Sequence, residues 1–135
     1  MKKINEEKGF TLTELLAVLV VLAIVAMIAY PIITKTINNS KKKAQIAQYK
    51  EVREQARKYA AMYIAGDDPD TCVTIDQIKA EGFLERGNIK DPMDGSFING
   101  SFKITWNDDF NQFDYVYYIA TTCTGTTKYT GDEFN

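Results

Sequence analysis

The chain contains no histidine, so the commonest general base and metal ligand is missing. An enzyme reading would need a catalytic constellation in the distal part, and the carboxylates found there have no evident catalytic partners. No cofactor is implied. Net charge is nearly missing too: 16 basic side chains against 18 acidic leave -2, a total that gives no electrostatic case for nucleic acid. Cysteine is scarce. Cys72 and Cys123 both lie in the distal part; an even pair fits one disulfide if that part is exported, and two buried thiols otherwise. In 135 residues there is room for one domain, and a membrane segment would leave a small soluble core.

Charge is absent altogether from Leu15 to Ile33. This apolar run is about the length that crosses a bilayer core as a helix. A cleaved secretory signal is the rival reading, since Met1, Lys2, Lys3 and Lys8 form a basic start. The run is too long for a usual signal core, and Tyr30-Pro31-Ile32-Ile33-Thr34-Lys35 offers no clear small-residue cleavage site. Charge returns unevenly. Residues 35 to 58 carry eight basic side chains against Glu51 and Glu54, whereas from Tyr59 onward five basic residues face thirteen acidic ones. A basic stem precedes an acidic head.

Just before the apolar run stands Lys8-Gly9-Phe10-Thr11-Leu12-Thr13-Glu14. With the basic leader, the lone acid and the apolar helix, this segment resembles the prepilin signature of type IV pilins and pseudopilins. The resemblance covers residues 1 to 35 closely and the rest only in general layout. It implies cleavage by a membrane prepilin peptidase between Gly9 and Phe10, N-methylation of Phe10, and assembly into a homo-oligomeric filament by a membrane platform and an assembly ATPase. It further implies a precursor in the bacterial cytoplasmic membrane with its head outside. Glu14 would become the fifth mature residue and pair with the new amine of a neighbouring subunit. Pro31 would become the twenty-second, in a segment that melts on assembly in related filaments.

Physical chemistry supplies reasons for both residues. An acid within a membrane helix costs roughly 2.5 to 3.5 kcal/mol on insertion scales, so a partner is expected; alternatively Glu14 lies at headgroup depth, where the helix dipole favours it. Pro31 lacks a backbone donor and should kink or loosen the helix. The positive-inside rule fits less well, because Lys35 and Lys41 to Lys43 make the far flank at least as basic as the leader. Orientation therefore follows from the resemblance.

Beyond Thr34, Ala44, Ala47, Val52, Ala56, Tyr59, Ala60 and Tyr63 recur at helical spacing as a stripe fit to pack on a sheet. Glu54 and Lys58 form a favourable acid-to-base pair, and Gly66 with Asp67, Asp68 and Pro69 is the expected stop. The basic run, interleaved with Tyr49, Tyr59 and Tyr63, is compatible with DNA binding, with lipid headgroups, or with a neighbour's acidic head.

In the head, Ile75, Ile78, Phe83 and Leu84 fit a short helix ended at Gly82. Asp91-Pro92-Met93-Asp94-Gly95 reads as a turn; the resemblance to major pseudopilins adds calcium as an alternative, with Asp91, Asp94, Ser96 and Asn99 as oxygen donors. Strands are expected at Ser96 to Ile98, Ser101 to Trp106 and Phe113 to Thr121, joined through a hairpin at Asn99-Gly100 and a longer turn at Asn107 to Gln112. Phe102, Ile104 and Trp106 should face the stem. Tyr115 and Tyr117 fit core packing or a binding stripe. A Cys72–Cys123 bridge would resemble the C-terminal disulfide loop of type IV pilins.

The expected architecture is α+β and pilin-like: a leader at 1–9, a transmembrane and polymerisation helix at 10–34, an amphipathic stem helix at 35–66, and a head with a small antiparallel sheet at 67–135. The function it implies is that of a pilus subunit. A competence or type II secretion pseudopilin, or a minor tip pilin that binds DNA or surfaces, is the alternative.

Overall fold

A computed structural model describes residues 9–64 and 70–130. The basic leader and the expected stop at Gly66 to Pro69 lie outside the described residues, which form two units, one ending at Asn39 and one beginning at Ser40.

Helix α1 (Leu12–Tyr63) starts in the first unit. It contains a stretch long and apolar enough to cross a membrane, and none of that stretch is buried among the described residues. The helix continues through Pro31 without a break. The proline has no amide to offer the carbonyl of Met27, one turn earlier. The Thr34 hydroxyl donates to the carbonyls of Tyr30 (3.2 Å) and Pro31 (3.1 Å), and Thr36 donates to Ile32 (2.9 Å). Hydroxyls satisfied on their own helix suit a segment bound for lipid.

In the second unit α1 buries Tyr49, Val52, Ala56 and Ala60, a stripe at spacings of three and four that carries one face of the helix into the core. The expected stripe is thus shifted: Ala44, Ala47 and Tyr63 are exposed. Tyr49, which the sequence offered to DNA, stacks on Tyr129 with centroids 4.7 Å apart. Glu54 meets Arg57 at 3.7 Å on the surface rather than Lys58.

Strand β1 (Asp70–Thr74) leads into α2 (Ile75–Ala80). Thr74 and Gln77 cap the start of α2 reciprocally, side chain to amide in both directions (3.1 and 2.8 Å). At its end the amides of Gly82 and Phe83 reach back to the carbonyls of Lys79 and Ile78. Gly82, at φ +81°, takes the left-handed turn this ending requires, so the expected stop holds.

Strands β2 (Ser101–Asn107), β3 (Gln112–Tyr118) and β4 (Thr127–Lys128) complete an antiparallel sheet in the order β1-β2-β3-β4. Val73, Phe102 and Tyr117 lie in register across three strands, with Thr71, Ile104 and Tyr115 as the next row. Phe102, Ile104 and Tyr117 are buried against Tyr49, Val52, Ala56 and Ala60, with Ile75 and Ile78 from α2 in the same cluster. This is an α+β pilin-like layout.

Two strands were not foreseen and one foreseen strand is absent. Ser96 to Ile98 forms only an isolated bridge, Lys90 to Phe97, because its chain reversal is the Asp91 to Gly95 turn, where the Gly95 amide donates to the Asp91 carbonyl at 2.8 Å. Asn99-Gly100 is therefore no hairpin turn. Gly100 is pressed against the Tyr118 and Ile119 carbonyls and the Tyr117 hydroxyl, where a Cβ would collide; closeness of approach, not turn geometry, demands glycine there. The third expected strand stops at Tyr118, short of Thr121. Trp106 leaves the core at the edge and packs edge-on against Phe113.

Candidate processing and assembly site

Gly9 and Phe10 precede α1, and both are exposed, Phe10 at 89 %. Thr11 begins the helix. Its amide donates to the Glu14 carboxylate (3.0 Å) while its hydroxyl accepts from the Glu14 amide (3.2 Å). This reciprocal capping box satisfies two donors that a helix start leaves unpaired, and it holds the acid one turn from the Gly9–Phe10 junction. Pro31 lies about five turns away along the same helix, so the two residues stand at separate places on it.

The Asp91 and Asp94 pair already holds a cation, and that cation is a side chain. Lys128 on β4 approaches Asp91 at 2.7 Å and Asp94 at 3.1 Å, and its ammonium also reaches the Ser96 hydroxyl at 3.2 Å. Asp91 is 1 % exposed. It also accepts from Gln45 on α1 through both oxygens (3.0 and 2.8 Å), from the Tyr129 hydroxyl (2.7 Å) and from the Met93 amide (2.8 Å). The Asp91, Asp94 and Ser96 oxygens considered for calcium are thus engaged by a lysine, and no group of three or more His, Cys, Asp or Glu side chains that could hold a metal occurs among the described residues. Burial alone would raise the Asp91 pKa; the bonds from Lys128, Gln45, Tyr129 and Met93 outweigh it and hold the carboxyl well below the usual range. Burial, then the bond to Asp91, pushes the Tyr129 phenol upward. Gln45, Lys128 and Tyr129 were missed from sequence, where no local pattern links them to Asp91.

Cys72 and Cys123 form a disulfide with Cα atoms 5.9 Å apart, closing a span of 51 residues. The span takes in α2, β2 and β3 but leaves β4 outside. Buried Ser101 secures the same loop, accepting from the Cys123 amide (3.0 Å) and donating to the Ala120 carbonyl (2.7 Å).

An exposed Gly-Phe junction, a capped acid and a helix apolar and long enough to cross a membrane thus follow one another along the chain. Residues 4–30 match the prokaryotic N-terminal methylation motif, the prepilin signature of type IV pilins and pseudopilins. The matched segment takes in the Gly9–Phe10 junction, Glu14 and most of the apolar run of this chain. No curated protein and no solved structure matches it.

Proposed function

We propose that this chain is a structural subunit of a type IV pilus or pilus-like extracellular filament. A prepilin peptidase cuts between Gly9 and Phe10, Phe10 is methylated, and the helix from Phe10 to Thr34 leaves the membrane to pack against its copies. The observation that carries this reading is the methylation motif at residues 4–30, set on a helix whose apolar side chains, Leu15 at 55 % and Ile28 at 63 % among them, stand exposed among the described residues. Such a surface needs lipid before assembly and other helices after it.

Glu14 has two duties on this reading. In the precursor its carboxylate caps the helix through the Thr11 amide; in the filament it pairs with the Phe10 amine of a neighbour, a group that exists only after cleavage. Glutamine retains the capping box and loses the charge. Glu14→Gln should therefore be processed normally and yield few fibres by electron microscopy of sheared cell-surface material, as should Glu14→Ala. Fibres at wild-type numbers from Glu14→Gln would leave Glu14 with the capping duty alone.

A further inference from the structure

Three consecutive lysines, Lys41, Lys42 and Lys43, stand on α1 ahead of the first residues that the helix buries. Neighbours on a helix are about 100° apart, so these side chains ring α1 and do not line one face of it. All of residues 35–44 are exposed, and the first buried side chain of α1 is Tyr49. The ring is therefore open on every side among the described residues. Lys41 and Lys43 enter no ion pair there, although the chain from Tyr59 onward is rich in acids.

The helix sets the distance from the ring to the apolar run. Lys41 comes eight positions after Ile33, about 12 Å along α1. Side chains on a helix lean toward its N-terminus, here back toward the apolar run, and a lysine stem carries its ammonium further that way. The charges thus reach the headgroup level of a bilayer whose hydrocarbon is spanned by Leu15 to Ile33.

The ring shape separates the partners that a basic run can take. Nucleic acid or a neighbour's acidic head meets a helix from one side and leaves part of a ring unused. Tyr49, the aromatic that follows the lysines, is buried at 2 %, so it offers bases no stacking platform beside them. A bilayer crossed by the helix surrounds it, and its headgroups meet all three lysines together.

Resting on the membrane-inserted precursor of the reading above, we propose that Lys41, Lys42 and Lys43 form a collar that gathers anionic phospholipid headgroups around α1, in the leaflet next to Ile33. The contact is given up when the helix leaves the membrane.

The test uses the full-length chain in phosphatidylcholine vesicles that carry a trace of spin-labelled phosphatidylglycerol or spin-labelled phosphatidylcholine. Electron spin resonance gives the preference of the protein for one over the other. Wild type should prefer the anionic lipid, and Lys41→Gln with Lys43→Gln should lose about half of that preference or more. The leader lysines and Lys35 are unchanged in this variant, so the difference reports Lys41 and Lys43. Lys41→Arg with Lys43→Arg should keep the preference, salt at about 1 M should remove it, and inorganic phosphate at millimolar level should not compete for it. Equal preference in wild type and the glutamine variant would overturn the collar; fewer fibres from that same variant would then assign the lysines to a neighbour's head. Loss of the preference in phosphate would mark a free-anion site and overturn it as well. A wild-type chain that fails to float with the vesicles would overturn the membrane-inserted precursor too.

Discussion

Lys128→Met should lower the stability of the head by about 3–5 kcal/mol, the loss expected when a buried ion pair is deprived of one partner. The ammonium lies 2.7 Å from Asp91, and Asp91 is 1 % exposed, so little water reaches the carboxylate in its place. The carboxylate would keep only the neutral donors Gln45, Tyr129 and the Met93 amide. These join α1, the Asp91 to Gly95 turn and the C-terminal end of the described chain, so a charge left unpaired there strains three elements at once. Adding Asp91→Asn to Lys128→Met should recover part of the loss, because the uncompensated charge is gone. Urea denaturation of the full-length chain in detergent, followed through the single tryptophan Trp106, measures both. A loss below about 1 kcal/mol, the range of exposed pairs, would contradict the description of this contact as buried.

The pH dependence has a defined sign. Asp91 in the folded head has a pKa below its ordinary value of 3.8, so its contribution is complete above that value and is lost as pH falls through the lower, folded one. Wild type and Lys128→Met should differ most at neutral pH, and the gap should narrow below about pH 4, where the ordinary carboxyl takes up its proton.

Removal of the disulfide, through Cys72→Ser with Cys123→Ser, should cost about 4 kcal/mol by the loop-entropy relation for a closed span of this length. A head this small has little stability in reserve. The bridge ties β1 to the loop after β3, so its loss frees the segment that leads to β4, Lys128 and Tyr129. Denaturation of the double variant, or of wild type under a reductant, should show a midpoint lowered to a similar degree in both. An unchanged midpoint would mean that Ser101 and its bonds to Ala120 and Cys123 hold the loop unaided.

The long helix was legible because its signals are local: nineteen uncharged residues, a Gly-Phe junction, and an acid at fixed spacing. The head was harder to read, for physical reasons that can be named. Strand β1 follows Asp67-Asp68-Pro69, a turn-like stretch, and its five residues alternate weakly; only pairing with β2 makes it a strand. Strand β4 has two residues, too few for any periodicity. Asn99-Gly100 carries the strongest short hairpin signal in the chain, yet its glycine serves a close backbone approach that only the folded sheet creates. Tyr49 looked like one of several aromatics among lysines, and burial distinguishes it.

The same limit applies to the functional residues. Thr11 and Glu14 are three apart, so a capping box is within reach of sequence reasoning, though Glu14 was read for its charge alone. Asp91 and Lys128 are 37 positions apart, and a turn with two acids resembles a cation site until the fold brings a lysine to it. The turn that the resemblance also offered to calcium carries an internal ion pair of Asp91 with Lys128, and Gln45 ties the same carboxylate to the stem helix.

The central claim is that this chain is cut at Gly9–Phe10 and built into fibres through the helix so released. N-terminal mass spectrometry of the chain recovered from sheared surface fibres tests it most directly. The expected product begins with methylated Phe10, with the helix from Leu12 onward intact. A chain retaining Met1, or one cut beyond Ile33, would contradict it.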